Sequence, residues 1–199
     1  MSLFSTIVAD PPWEYKTPGQ IGKTLHHRPN RDKTFASRAG AGSVVRYGSM
    51  TCADLCDLNP PSNKNAHLYL WFTNAFAVQA HQIAAAWGFR PITILTWVKV
   101  RKIDGQPSMK MGHYFRGATE HILFGVKGSL PLKTSKALPT AYLWPRLPHS
   151  EKPDAFYDLV EEASNGEYME LFARKTRLGW TTWGDQVPNT GGLKLGQLK

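Results

Sequence analysis

Asp10-Pro11-Pro12-Trp13 places a carboxylate, two prolines and an indole within four residues, directly after the apolar run Leu3 to Ala9. Ile, Val, Thr and Phe in a short apolar run read as a buried strand, and a proline pair cannot extend a hydrogen-bonded ladder. Asp10 is therefore expected at the carboxyl end of a strand, the edge where open α/β sheets bind ligands. Pro11 and Pro12 lack amide protons, so the turn should be stiff and rich in unpaired carbonyl oxygens. A carboxylate, a free carbonyl and an aromatic ring together suit a planar molecule bearing an amino group. The amine donates to Asp10 and to the Pro11 carbonyl while Trp13 covers a ring face. An ordinary strand-ending turn explains the same four residues, so the remaining chain has to decide.

The elements that would position this turn follow from hydrophobic pattern. His67 to Thr73, Pro91 to Val100, Glu120 to Val126, Tyr168 to Arg174 and Trp180 to Gly184 are apolar, β-prone runs, continuous as in strands covered on both faces. Thr51 to Leu58 reads as a short helix with a Thr51/Asp54 capping box. Asn74 is expected to cap a helix through Ala86 that Gly88 closes, and Pro153 to open another through Ala163 that Gly166 ends. Leu130 to Pro148, with four prolines, reads as irregular. Strands alternating with helices imply a mostly parallel sheet with helices on both sides, a three-layer α/β sandwich. The strands flanking 101–118 have no helix between them and can pair antiparallel.

The chain of 199 residues fits one domain and is 42% hydrophobic and 12% aromatic, enough for a packed core. We expect that domain over 1–187, with a mobile tail at 188–199. A formal net charge of +9 favours an anionic partner, most simply nucleic acid. Two segments concentrate that charge: 14–48, with Lys16, Arg28 and Arg31, and 101–118, where Lys110, His113 and Arg116 alternate with Tyr114 and Phe115. Cations interleaved with aromatics suit phosphates and stacked bases, so both segments are expected to face the substrate. No signal peptide or spanning segment is expected. Cys52 and Cys56, four residues apart, complete no zinc set and read as reduced thiols, so the chain is expected to work without a metal.

These pieces resemble, in order, the adenine-N(6) methyltransferases that carry an Asp-Pro-Pro-Trp motif. Beyond 10–13 the matching stretches are Tyr47 to Met50, Leu70-Trp71, Trp97 to Lys99, Gly112 to Tyr114, Glu120-His121, Gly125 to Gly128, Lys152 to Asp154, Glu170 to Arg174, Gly179-Trp180 and Trp183 to Gln186. The resemblance implies a Rossmann-like, S-adenosylmethionine-dependent methyltransferase fold in permuted order, the catalytic motif preceding the cofactor-binding strand, with S-adenosylhomocysteine as product. It implies that Asp10, Pro11, Pro12 and Trp13 hold the target amine and base. Asp10, Lys152, Glu170, Phe172, Arg174, Asp185 and Gln186 would line the cofactor. Tyr15, Lys16, Arg28, Arg31, Lys99, Lys110, His113, Tyr114 and Arg116 would meet nucleic acid, DNA ahead of RNA. Likeness to compact bacterial and phage members implies a cytoplasmic setting, and the family's habit of pairing is compatible with a homodimer. Alternatives are RNA methylation by the same chemistry, a cytosine-amine methyltransferase, and a non-catalytic nucleic-acid-binding subunit. The sequence departs from larger relatives twice: nine residues precede Asp10, and Thr119 stands where they carry a lysine.

Overall fold

The structure, a computed structural model, describes residues 3–15, 48–110, 114–148, 151–188, 190 and 198. Seven strands form one sheet: β1 (Phe4–Ala9), β2 (Ser62–Phe72), β3 (Arg90–Val100), β4 (Thr119–Lys127), β5 (Ala141–Pro145), β6 (Tyr168–Leu171) and β7 (Trp180–Trp183). Their spatial order is β5-β3-β4-β2-β1-β6-β7. All neighbours pair parallel except β4, which is antiparallel to both β2 and β3. That one reversal has a consequence for chemistry. The carboxyl ends of six strands and the amino end of β4 lie along a single edge, so Asp10, Thr73, Val100, Glu120, Pro145 and Phe172 share it.

Alternation along the strands feeds two cores. Ile7, Ala9, Leu68, Leu70, Met169 and Leu171 pack beneath α1 (Cys52–Cys56) and α2 (Ala77–Ala86) through Leu55, Ala80, Ile83 and Ala84. Val8, Tyr69, Trp71, Trp97, Ile122 and Phe124 face α3 (Asp154–Ala163), whose Phe156, Tyr157 and Val160 recur at helical spacing. Helices thus cover both faces, the expected three-layer α/β arrangement of a Rossmann-like methyltransferase. None of the helices among the described residues is long and apolar enough to cross a membrane.

The local expectations hold in part. Thr51 and Asp54 form a reciprocal capping box, Thr51 Oγ1 accepting from the Asp54 amide at 3.1 Å and Asp54 Oδ2 from the Thr51 amide at 3.0 Å. Asn74 caps nothing: Asn74–Phe76 is a 3-10 turn before α2, and neither helical segment has a side-chain cap. That tighter turn presents the Phe76 ring to Trp13, 4.7 Å away and nearly parallel. Pro153 is the residue before α3, with extended ψ of 138°, and Ser164 ends the helix ahead of Gly166. The proline-rich 130–148 segment contains β5, an edge strand parallel to β3; its one proline, Pro145, is its last residue, a place an edge strand tolerates. β6 stops at Leu171, because Phe172 adopts φ +64° and the Ala173 amide turns to the Trp183 carbonyl at 2.9 Å. Gly184 permits that approach, since a Cβ there would lie 2.1 Å from the Ala173 oxygen. In the 188–199 segment, Thr190 bonds Thr182 and Leu198 is buried against the first core.

Candidate active site

β1 is buried along its length and delivers Asp10 to the edge, where the Asp10 amide reaches the Leu171 carbonyl of β6 at 3.4 Å. The proline carbonyls expected to be free are partly engaged. Pro11 O accepts the Trp13 amide and Pro12 O the Met50 amide, each at 2.9 Å. Two donors on successive carbonyls rigidify the turn, and each oxygen keeps a second lone pair. The Trp13 indole N–H donates to the Trp71 carbonyl at 3.2 Å while its ring stacks on Phe76. Trp13 is therefore anchored at its edge and covered on one face. The bridge between Trp13 and Met50 also shows that the excursion after Tyr15 returns beside the motif.

Asp10 ends a chain of four charges. Its Oδ2 lies 3.0 Å from Lys152 Nζ, and the same ammonium lies 3.1 Å from Glu120 Oε2 and 4.5 Å above the Trp71 ring. Glu120 Oε1 pairs in turn with Lys99, whose ammonium covers Trp97. The Lys152 side chain is 10% exposed and Asp10 18%. Burial alone would draw the Lys152 pKa down, but the Asp10 and Glu120 carboxylates outweigh it and hold it above the ordinary value. Burial likewise pushes Glu120 up, and the two ammonium groups prevail, leaving its carboxyl low. For Lys99, burial wins over Glu120 and leaves its pKa low. Pairing on this scale is needed to keep charges in a water-poor place.

On one side of Asp10 a cavity of about 360 Å³ is walled by Pro11, Pro12, Trp13, Tyr15, Phe72, Thr73, Lys110 and Glu120. On the other, cavities of about 240 and 260 Å³ are lined by Lys152, Tyr157, Glu170, Phe172, Arg174, Asp185 and Gln186. Asp10 and Arg174 border all three. Glu170, in register with Val8 on the α3 face, accepts the Tyr157 hydroxyl at 2.7 Å. Burial, reinforced by Asp10 and opposed by that hydrogen bond, raises its pKa to about 7.

The fold thus gathers Asp10, Lys152, Glu170, Phe172, Arg174, Asp185 and Gln186 around one pair of clefts. Lys110 and Tyr15 line the cavity on the Trp13 side of Asp10. Tyr15 leans edge-on against Phe76 and bonds Thr73 Oγ1 at 3.0 Å. Tyr114 and Phe115, 97% and 94% exposed, and Arg116 project into solvent. Lys99 is buried in the ion-pair chain, so its part is to hold Glu120. Lys16, Arg28, Arg31 and His113 lie outside the described residues. Glu120 and Tyr157 are site residues that sequence reasoning left without a role. A carboxylate opening an otherwise apolar strand was the signal for Glu120, and it becomes readable once β4 is known to run backwards. Tyr157 carried no signal beyond its place on the helix.

A family model described as MT-A70 matches residues 4–186. The chain is 27% identical over 194 residues to "Type II methyltransferase M.MunI" of Mycoplasma sp, covering 94% of this chain and 78% of that protein. It is 26% identical over 193 residues to a "Putative N(6)-adenosine-methyltransferase MT-A70-like" protein of Medicago truncatula, and equally to the "N(6)-adenosine-methyltransferase catalytic subunit METTL3" of Homo sapiens. Each of these matches covers 94% of this chain but 27% and 29% of the relative, so the chain spans under a third of those longer proteins. The match runs from β1 past β7 and takes in the Asp10 turn, the Lys152 bridge and the Glu170 cleft: the chain belongs to the MT-A70 family.

Proposed function

We propose that this chain transfers a methyl group from S-adenosylmethionine to the 6-amino group of adenine in nucleic acid, with DNA as the first substrate. The observation that carries the reading is Asp10, fixed by Lys152 on the wall between two clefts. The cofactor's functional groups find complements in the cleft behind it. Its carboxylate suits Lys152, its ammonium Asp10 or Glu170, its ribose hydroxyls Asp185, Gln186 or Arg174, and Phe172 offers a ring face. When bound, the cofactor supplies a methyl group on a positively charged sulfur. The residues of this chain do the positioning. Asp10 and the open lone pair of Pro11 O accept the two protons of the target amine, which turns its nitrogen lone pair out of the ring plane. Transfer would replace the S–C bond by a new N–C bond, and Asp10 would take up the proton lost from nitrogen. Fixed geometry and charge account for the acceleration. A duplex target must first be turned out of its stack.

DNA leads because the match to the Type II methyltransferase extends over most of that protein, whereas those to the N(6)-adenosine-methyltransferases cover under a third. The names of the latter favour RNA as the second reading. The test is methyl transfer from labelled S-adenosylmethionine to single-stranded DNA, duplex DNA and RNA, with nucleosides identified by mass spectrometry. N(6)-methyladenine in one polymer, absent with Asp10→Ala, is the expected result. Cofactor binding with transfer to none of them would defeat the proposal for the chain acting alone.

A further inference from the structure

A fourth cavity lies on the same edge, over β5, β3 and β4, and Asp10 is not among its lining residues. It measures about 400 Å³ and shares Lys110 and Glu120 with the target-side cavity. Five cations line it: Lys99, Arg101, Lys102, Lys110 and Arg146. The two acids on its walls are engaged, Glu120 by Lys99 and Lys152, and Glu151 by Lys175. Arg101 is paired with Asp104. Among the described residues, Lys102, Lys110 and Arg146 form no ion pair. Among the described residues the cavity therefore carries excess positive charge.

Two of those unpaired cations stand on ordered backbone. The Arg146 amide donates to the Val100 carbonyl and the Lys110 amide to the Gly117 carbonyl, both at 2.9 Å. Strand order sets the distance to the chemistry. Arg146 follows β5, four strand spacings from β1, about 19 Å, whereas Lys110 and Glu120 join this cavity to the target-side one.

Resting on the polynucleotide substrate just proposed, we propose that this cavity seats a backbone phosphate flanking the target, with Arg146 and Lys110 as its donors. A guanidinium presents paired N–H groups that match two phosphate oxygens, and an ammonium adds a point charge. The seat fixes how far along the strand the target lies from a held phosphate, and it reads no base.

The test uses a fluorescent single-stranded oligonucleotide with one adenine, in which neutral methylphosphonates replace the flanking phosphates one at a time. Affinity is read by anisotropy for the wild-type chain and for Arg146→Gln, at an exposed position, with thermal unfolding checking that the variant folds. One methylphosphonate position should weaken wild-type binding about tenfold. Arg146→Gln should weaken the unmodified strand similarly and be indifferent to that methylphosphonate. Its slope of log affinity against log salt should fall by about 0.7. An Arg146→Gln chain with the wild-type slope and methylphosphonate profile would overturn the seat, as would a wild-type chain that binds no oligonucleotide. Inorganic phosphate competing as well as the strand does would assign the cavity to a free anion instead. Methyl transfer failing while the Arg146 effect persists would defeat the proposed reaction and leave the seat standing.

Discussion

The two ends of α3, about 15 Å apart, rest on two buried polar networks of opposite character. Before its first residue stands Lys152, in the ionic chain Lys99–Glu120–Lys152–Asp10. After its last stands Ser164, in a neutral one. The Tyr69 hydroxyl lies 2.8 Å from Ser164 Oγ, which lies 2.7 Å from His67 Nδ1, and His67 Nε2 reaches the Leu130 carbonyl at 2.9 Å. A carbonyl only accepts, so Nε2 carries the proton, Ser164 donates to Nδ1, and Tyr69 donates to Ser164. His67, Tyr69 and Ser164 are essentially inaccessible to water, and the chain closes on a backbone oxygen. The ionic network faces cavities on both sides of Asp10. Burial of polar groups is common to both, so burial does not mark a working site. Charge kept in place at an open cleft does.

The contrast breaks most visibly at Asp10. Asp10→Ala should lower turnover on the order of a thousandfold or more, measured as single-turnover methyl transfer. Lys152 retains Glu120 in that variant, so thermal unfolding should shift little. A variant that loses turnover only because it unfolds would erase the distinction between the two ends. Lys152→Gln comes next. It leaves Asp10 and Glu120 facing each other without their common cation, which should cost about 3–5 kcal/mol of stability. Turnover should fall about ten- to a hundredfold through misplacement of Asp10. Glu120 keeps Lys99 in that variant, so adding Glu120→Gln should cost further stability in urea melts by stranding the buried Lys99 ammonium.

How far these two networks were legible beforehand depends on how local they are. Asp10 could be placed at a strand end because an apolar run and a proline pair are adjacent in sequence. The Thr51/Asp54 cap could be read for the same reason. Glu120 and Lys152 were visible as residues but not as partners: the antiparallel pairing of β3 and β4 was expected and is found, but their meeting beside Asp10 depends on the spatial order β4-β2-β1, which hydrophobic pattern does not give. The β5 strand was hidden by the prolines of its segment, although only Pro145, its last residue, lies within it, at an edge position that tolerates it. Asn74 has the chemistry of a cap, yet tertiary packing of Phe76 on Trp13 fixes a different turn. The neutral network left no local trace, because His67, Ser164 and Leu130 come from three separate elements.

At the neutral end the expected loss is of stability alone. Ser164→Ala removes the donor to His67 and the acceptor for Tyr69, leaving two buried polar groups unsatisfied. The cost should be about 1–3 kcal/mol in urea unfolding. Turnover measured well below the melting temperature should match wild type. A matching fall in turnover would mean that α3 transmits strain from one end to the other, and the division drawn between them would fail.

The smallest effect is a tilt of stability with pH, opposite in sign for a group at each end. Glu170, beside Asp10, has its pKa raised from 4.5 to about 7, with burial as the main cause. Folding therefore favours its protonated form. Its contribution is full below about pH 4.5 and is lost as pH rises toward 7, at no more than about 1.4 kcal/mol per pH unit. His67 has its pKa lowered below 6.5 by burial, with the Leu130 hydrogen bond opposing. Its contribution is full above pH 6.5 and is lost as pH falls through the depressed value. His121, also lowered by burial, tilts the same way as His67, so only differences between variants isolate each group. Unfolding free energies across pH 5 to 8 should show wild type losing stability relative to Glu170→Gln as pH rises, and relative to His67→Gln as pH falls. Parallel curves for wild type and Glu170→Gln would mean that Glu170 is ionised throughout, and it would then carry a full charge into the cleft it shares with Lys152 at neutral pH.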